Sequence, residues 1–190
     1  YLADPATNAT LHETVVDCLN CAAGKSSPSG SAACTNCTAG RYSLTGSACA
    51  DCVAGTFSSA GKERCTDCAA GQYSTGGTRN CTTCPLGQYS GAGQSTCHAC
   101  GLGTFVRNNS CTNCSAGMFQ SKTGQTACTS CPDGWFNPDI GSSRCSACLA
   151  GRFSPQESLA CSDCPPGTYE TQNASSSCDA CPHGRYAATS

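Results

Sequence analysis

Large apolar side chains are what this 190-residue chain lacks. Eight Leu, four Val, one Ile and five Phe make 18 residues, far below the ~20 % under which burial alone rarely folds a chain. That excludes a domain built round a conventional hydrophobic core, although the length would accommodate one. Charge is scarce as well: Lys and Arg total 10, Asp and Glu 12, for a net charge of -2. Disordered chains poor in apolar residues are usually highly charged, and this chain is not. No basic patch is present to hold phosphates, which argues against nucleic acid as a partner. No run of ~18 apolar residues could span a membrane. Tyr1 opens the chain and no signal peptide is visible; the expectation is a piece of a longer mature protein.

What is there is cysteine, 22 of 190 residues, above the ~8–10 % that marks a disulfide scaffold. Cross-links must replace the missing core. All 22 fall in eleven Cys-x-x-Cys pairs, from Cys18/Cys21 to Cys178/Cys181. A Gly stands three residues after the second Cys of every pair: Gly24, Gly40, Gly55, Gly71, Gly87, Gly103, Gly117, Gly134, Gly151, Gly167 and Gly184. Two residues further comes an aromatic, from Tyr42 to Tyr186, in every copy but the first, where Ser26 takes the place. The stretch from Cys68 to Cys84 shows the whole unit, and the chain is that unit laid end to end. Residues 1–17 lie outside it, as a linker or insertion. Residues 18–190 form the array, about ten complete units and a partial one at 181–190.

A Gly at fixed offset implies a turn with positive φ. The aromatic step after it favours a short extended segment. A second polar, Gly-containing run returns the chain to Cys. Each unit is therefore read as a small irregular β-hairpin with almost no helix, its ring packed as a miniature core on the disulfide and the next unit. Units that touch only their neighbours would make an elongated rod, rising ~10 Å per unit and on the order of 100 Å in all. Trp135, beside Phe136, occupies the variable position and is the candidate exposed contact.

Repeated Cys-x-x-Cys pairs admit three readings: zinc sites, redox motifs or structural disulfides. Sequons weigh for the last. Six of nine Asn residues open one, at Asn8, Asn36, Asn80, Asn108, Asn113 and Asn173, where Ser and Thr content would give about two by chance. Sequons and dense cysteine together point to the secretory route, where disulfides persist. Pairing inside each Cys-x-x-Cys would leave the Gly-aromatic loop open, and locking repeats in twos would double a period that is not doubled. The simplest scheme closes each loop: Cys21–Cys34, Cys37–Cys49, Cys52–Cys65, Cys68–Cys81, Cys84–Cys97, Cys100–Cys111, Cys114–Cys128, Cys131–Cys145, Cys148–Cys161 and Cys164–Cys178. Each such loop contributes roughly 3 kcal/mol by the chain-entropy argument. Cys18 and Cys181 are left unpaired within the segment, and the array is expected to continue past Ser190.

CTTCPLGQYS (81–90), CSDCPPGTYE (161–170) and CDACPHGRY (178–186) resemble the ephrin-receptor-like cysteine-rich repeat, Cys-x-x-Cys-Pro-x-Gly-x-Tyr-Ser. The start of each unit is also similar to the single-loop module of tumour-necrosis-factor-receptor ectodomains. The resemblance runs from Cys18 to Tyr186 and implies an extracellular module; most copies depart from it at Pro, present only at Pro85, Pro132, Pro165 and Pro182. No kinase segment or ephrin-binding domain accompanies it, so receptor signalling does not carry over.

No chemistry-bearing constellation stands out. His12, His98 and His183 share no motif, the acids are scattered, and neither calcium-loop, nucleophile-elbow nor phosphate-loop patterns occur. The expectation is no catalysis, no cofactor and no metal. Uniform repeats, low charge and sequons point to a structural segment of a secreted glycoprotein, building an extracellular fibre, flagellar hair, wall or surface coat. Its expected partners are further copies or other extracellular glycoproteins, with N-glycans and Ser/Thr-linked glycans attached. The rival is a ligand-binding or stalk region of a surface receptor or adhesion protein, centred on Trp135. A variant surface coat is a third reading, disfavoured because its Gly-Gly-Cys-Tyr motif is missing.

Overall fold

The computed structural model describes residues 18–187. They fall in two compact units, one of residues 18–83 and 90–97, the other of residues 84–89 and 98–187. Among the described residues there is no helix. The first unit holds four antiparallel hairpins: β1 (Lys25–Ser26) with β2 (Thr35–Asn36), β3 (Arg41–Tyr42) with β4 (Ala50–Asp51), β5 (Thr56–Phe57) with β6 (Thr66–Asp67), and β7 (Gln72–Tyr73) with β8 (Thr82–Thr83). The second holds six: β9 (Gln88–Tyr89) with β10 (His98–Ala99), β11 (Thr104–Arg107) with β12 (Ser110–Asn113), β13 (Met118–Phe119) with β14 (Thr129–Ser130), β15 (Trp135–Phe136) with β16 (Ser146–Ala147), β17 (Arg152–Phe153) with β18 (Ser162–Asp163), and β19 (Thr168–Tyr169) with β20 (Asp179–Ala180).

Two-residue strands cannot hold themselves together; each hairpin is clamped at both ends. A four-residue turn precedes the first strand, as where Arg41 N donates to Thr38 O at 3.1 Å. Its third residue is the recurrent Gly, with φ of 71° to 87° in all eleven copies, a conformation only Gly adopts cheaply. The Gly carbonyl then accepts from the Cys that follows the second strand, as Cys52 N to Gly40 O at 2.8 Å. A disulfide closes the loop. Nine are set at Cα–Cα separations of 5.5–5.8 Å, each joining the second Cys of one pair to the first of the next. Cys84 and Cys97 are also disulfide-bonded. Cys18 and Cys181 are free thiols.

The core differs from the sequence expectation. The aromatic rings are half-buried at best, with Tyr169 39 % and Tyr186 88 % exposed. What is fully buried is the second Cys of most pairs and the polar residue after the ring: Ser43, Ser58, Ser74, Ser90, Gln120, Asn137 and Ser154. The reason is spacing. Successive repeats within a unit approach to backbone hydrogen-bonding distance, the recurrent Gly N donating to the polar residue's carbonyl of the next repeat at 2.7–2.9 Å. That gap admits a hydroxyl or an amide and excludes a ring. Five of the buried side chains then donate back to the preceding repeat, as Ser58 Oγ to Arg41 O at 2.9 Å and Asn137 Nδ2 to Met118 O at 2.8 Å, while Ser43 and Gln120 donate within their own loops. No buried side-chain polar atom among the described residues lacks a partner.

Nor do repeats touch only their neighbours. In seven repeats the loop after the ring folds back and donates its turn N–H to a Cys carbonyl one repeat earlier, as Gly61 N to Cys37 O at 2.9 Å. That carries the turn's own carbonyl onto the recurrent Gly two repeats earlier. A Cβ on Gly24 would lie 2.1 Å from Gly61 O, one on Gly40 2.1 Å from Gly77 O, and one on Gly134 1.9 Å from Ala174 O. At these positions the recurrent Gly is thus required twice, by its φ and by the backbone lying on it, whereas Gly151, Gly167 and Gly184 have nothing within 4 Å of a Cβ and are required by φ alone.

Candidate functional site

The side chains singled out in the sequence lie in three settings. Trp135, in β15 opposite Ala147, is 37 % exposed. Beside it a shallow depression of about 300 Å³ is lined by Phe136, Ala147, Leu149, Arg152, Ala160 and Cys161. Leu149, 68 % exposed, forms its apolar rim. Arg152 is held by Asp163 across its hairpin, Nε to Oδ1 at 2.7 Å, a mostly exposed pair of small energetic weight. Leu149 and Arg152 were not singled out in the sequence. The packing of one repeat on the next brings them beside Phe136, and no local pattern marks them.

The Asn residues of five sequons, Asn36, Asn80, Asn108, Asn113 and Asn173, are all exposed. Asn8 lies outside the described residues. Asn36 and Asn113 occupy equivalent positions at the ends of β2 and β12. Their amides rest against the Cα faces of Gly61 and Gly141, with a Cβ there only 3.2 Å and 3.5 Å away. Asn108 and Asn109 form the two-residue turn of the β11–β12 hairpin at φ of 51° and 57°, the geometry that Asn tolerates best after Gly. Asn173 Oδ1 accepts from Ala150 N at 3.0 Å, one repeat back.

The titratable groups are dispersed. His98 stands across from Tyr89, ring centroids 6.2 Å apart, and His183 is exposed; His12 lies outside the described residues. Glu170 has its carboxyl held below the usual carboxylate range by the Gln172 amide, donating at 2.7 Å, and by the Ser175 hydroxyl. That is a loop-stapling interaction, not a poised acid. Among the described residues no three His, Cys, Asp or Glu side chains are grouped to hold a metal ion, and no helix is long and apolar enough to cross a membrane.

A family model described as tyrosine-protein kinase ephrin type A/B receptor-like matches residues 55–89, 103–148, 119–157 and 151–190. These segments cover more than half of the chain, and the last three overlap in succession. No curated protein matches it.

Proposed function

The chain belongs to the ephrin-receptor-like cysteine-rich repeat family, and we propose that it is a structural segment of a secreted glycoprotein contributing to an extracellular fibre, hair, wall or coat. The repeats are of the extracellular, disulfide-rich type. The observation that carries the finer reading is the lattice of backbone contacts from each repeat to the next and the next but one. It uses the same atoms in repeat after repeat, with side chains that vary freely outside it. A binding site asks for repeats that differ; a load-bearing array asks for repeats that do not. Glycans at the exposed sequons, a non-catalytic role, and association with further copies or other extracellular glycoproteins belong to the same proposal.

The test is electron microscopy of native, unreduced material beside the same material treated with reductant. Regular filaments containing this sequence, losing their order on reduction, are the expected result. Isolated particles that never assemble would refute the structural reading. Trp135 and the apolar depression beside it favour the second reading, a ligand-binding or stalk region, and Trp135→Ala would then abolish binding to the partner without altering the fold.

A further inference from the structure

The sequons differ in chemistry once the fold is known. Asn36-Cys37-Thr38, Asn80-Cys81-Thr82 and Asn113-Cys114-Ser115 each have a half-cystine as the middle residue. Cys37 is bonded to Cys49, Cys81 to Cys68 and Cys114 to Cys128. Cys37 is 1 % exposed and Cys114 0 %. The flanking residues are held too. Thr82 is paired with Tyr73 in the β7–β8 hairpin. Thr38 and Ser115 begin the next tight turn, their carbonyls accepting from Arg41 N and Met118 N at 3.1 Å.

Asn108-Asn109-Ser110 is the contrast. All three residues are exposed, none is cysteine, and they sit at the tip of the one four-residue hairpin among the described residues. Asn173-Ala174-Ser175 contains no cysteine but is tied to the preceding repeat through Asn173 Oδ1, Ala174 N and Ser175 O.

Glycan transfer joins the Asn Nδ2 to the anomeric carbon of a sugar on a lipid diphosphate. The new C–N bond replaces the anomeric C–O bond, the amide gives up a proton to base, and the lipid diphosphate leaves. The transferase must grip the Asn amide and the hydroxyl two residues on, with the tripeptide drawn out between them. A tripeptide anchored at its centre by a disulfide, buried at Cys37 and Cys114 and half-buried at Cys81, cannot be drawn out.

We infer that disulfide closure switches off Asn36, Asn80 and Asn113 as glycan acceptors, while Asn108 remains an acceptor in the folded chain. This rests on the reading of the chain as an N-glycoprotein. Modification at the three cysteine-centred sites is then a race against loop closure, and their occupancy records the order in which neighbouring loops oxidise. Asn173, tied by hydrogen bonds alone, follows the closed group in the folded state.

The experiment uses the 190-residue chain made without glycans and fully oxidised. It is incubated with a single-subunit oligosaccharyltransferase and a lipid-linked oligosaccharide, beside the same chain kept reduced, and glycopeptides are quantified by mass spectrometry. The expected result is modification of all four sites in the reduced chain, and in the oxidised chain at Asn108 with the other three at least tenfold lower. Comparable modification of Asn36 or Asn113 in both states overturns the inference. Refusal of Asn36, Asn80 and Asn113 even when reduced overturns the inference, because closure then switches nothing off; refusal of Asn108 as well overturns the N-glycoprotein reading itself. The double substitution C37A/C49A localises the effect: in the oxidised chain it must restore Asn36 as an acceptor while leaving Asn113 off. Restoration of neither, or of both, counts against the mechanism.

Discussion

Gly40 and Gly77 meet in one contact but face it differently, and that asymmetry yields the sharpest test of the lattice. Gly40 has φ of 84° and would place a Cβ 2.1 Å from Gly77 O and 2.4 Å from Gly77 C. Gly77 has φ of 61°, and among the described residues nothing lies within 4 Å of a Cβ there. Gly77→Ala therefore carries only the left-handed strain of an L residue, about 1–2 kcal/mol. Gly40→Ala carries the same strain and forces two backbones apart, adding about 1–3 kcal/mol as overpacking does elsewhere. A shared reporter is the Ser58 amide, which donates to Thr78 O at 3.2 Å, one residue past the contact. Its hydrogen exchange in the oxidised chain is expected to accelerate in both variants, and roughly ten- to a hundredfold more in Gly40→Ala, at about 1.4 kcal/mol per factor of ten. Equal acceleration would mean that contacts between alternate repeats carry no weight and that the recurrent Gly serves its turn alone.

Further outcomes follow from single residues. Ser58→Ala removes the donor to Arg41 O and is expected to cost about 1 kcal/mol, against less than about 0.5 kcal/mol for the exposed Ser59→Ala; thermal unfolding by circular dichroism compares them. Ala174 sits at φ of 61° where most other repeats have Gly and the preceding one has Glu157, so Ala174→Gly is expected to stabilise the fold by about 0.5–1 kcal/mol of relieved strain net of Gly entropy; a lower midpoint would contradict the strain. Glu170 is depressed in the folded state by the Gln172 amide and the Ser175 hydroxyl, so its contribution is present above the ordinary carboxylate pKa and lost as pH falls through the lower folded value. Glu170→Gln should accordingly lower the midpoint slightly at neutral pH, flatten the acid limb of stability below about pH 4.5 and converge on the parent chain at lower pH, as read from midpoints across an acid titration. Arg152→Ala, which breaks the exposed pair with Asp163, is expected to shift stability by less than about 1 kcal/mol; a larger loss would mark Arg152 as part of the packing beside Leu149.

The repeat, its period and the need for disulfides were legible in the residues because they depend on local chemistry. A Gly three residues past Cys calls for a positive φ wherever it occurs, and all eleven have one. An alternation too short to bury a face cannot make more than a hairpin. Loop closure is the simplest pairing that keeps the same period and shuts the Gly-aromatic loop of each unit. What the sequence could not decide is how one repeat lies on another, because hydrogen bonds between backbones leave no side-chain signature. Hence the ring was read as the core, when the gap between repeats is set by N–H to O distances and holds the small polar side chain after it, Ser in most copies and Gln120 or Asn137 in two. Hence too the repeats were expected to touch neighbours alone, when Gly61 bonds back to Cys37 and in doing so reaches Gly24. The sequons divide the same way: Asn-x-Ser/Thr is written in the chain, whereas whether the middle residue is sealed, as Cys37 is and Asn109 is not, is settled by tertiary packing.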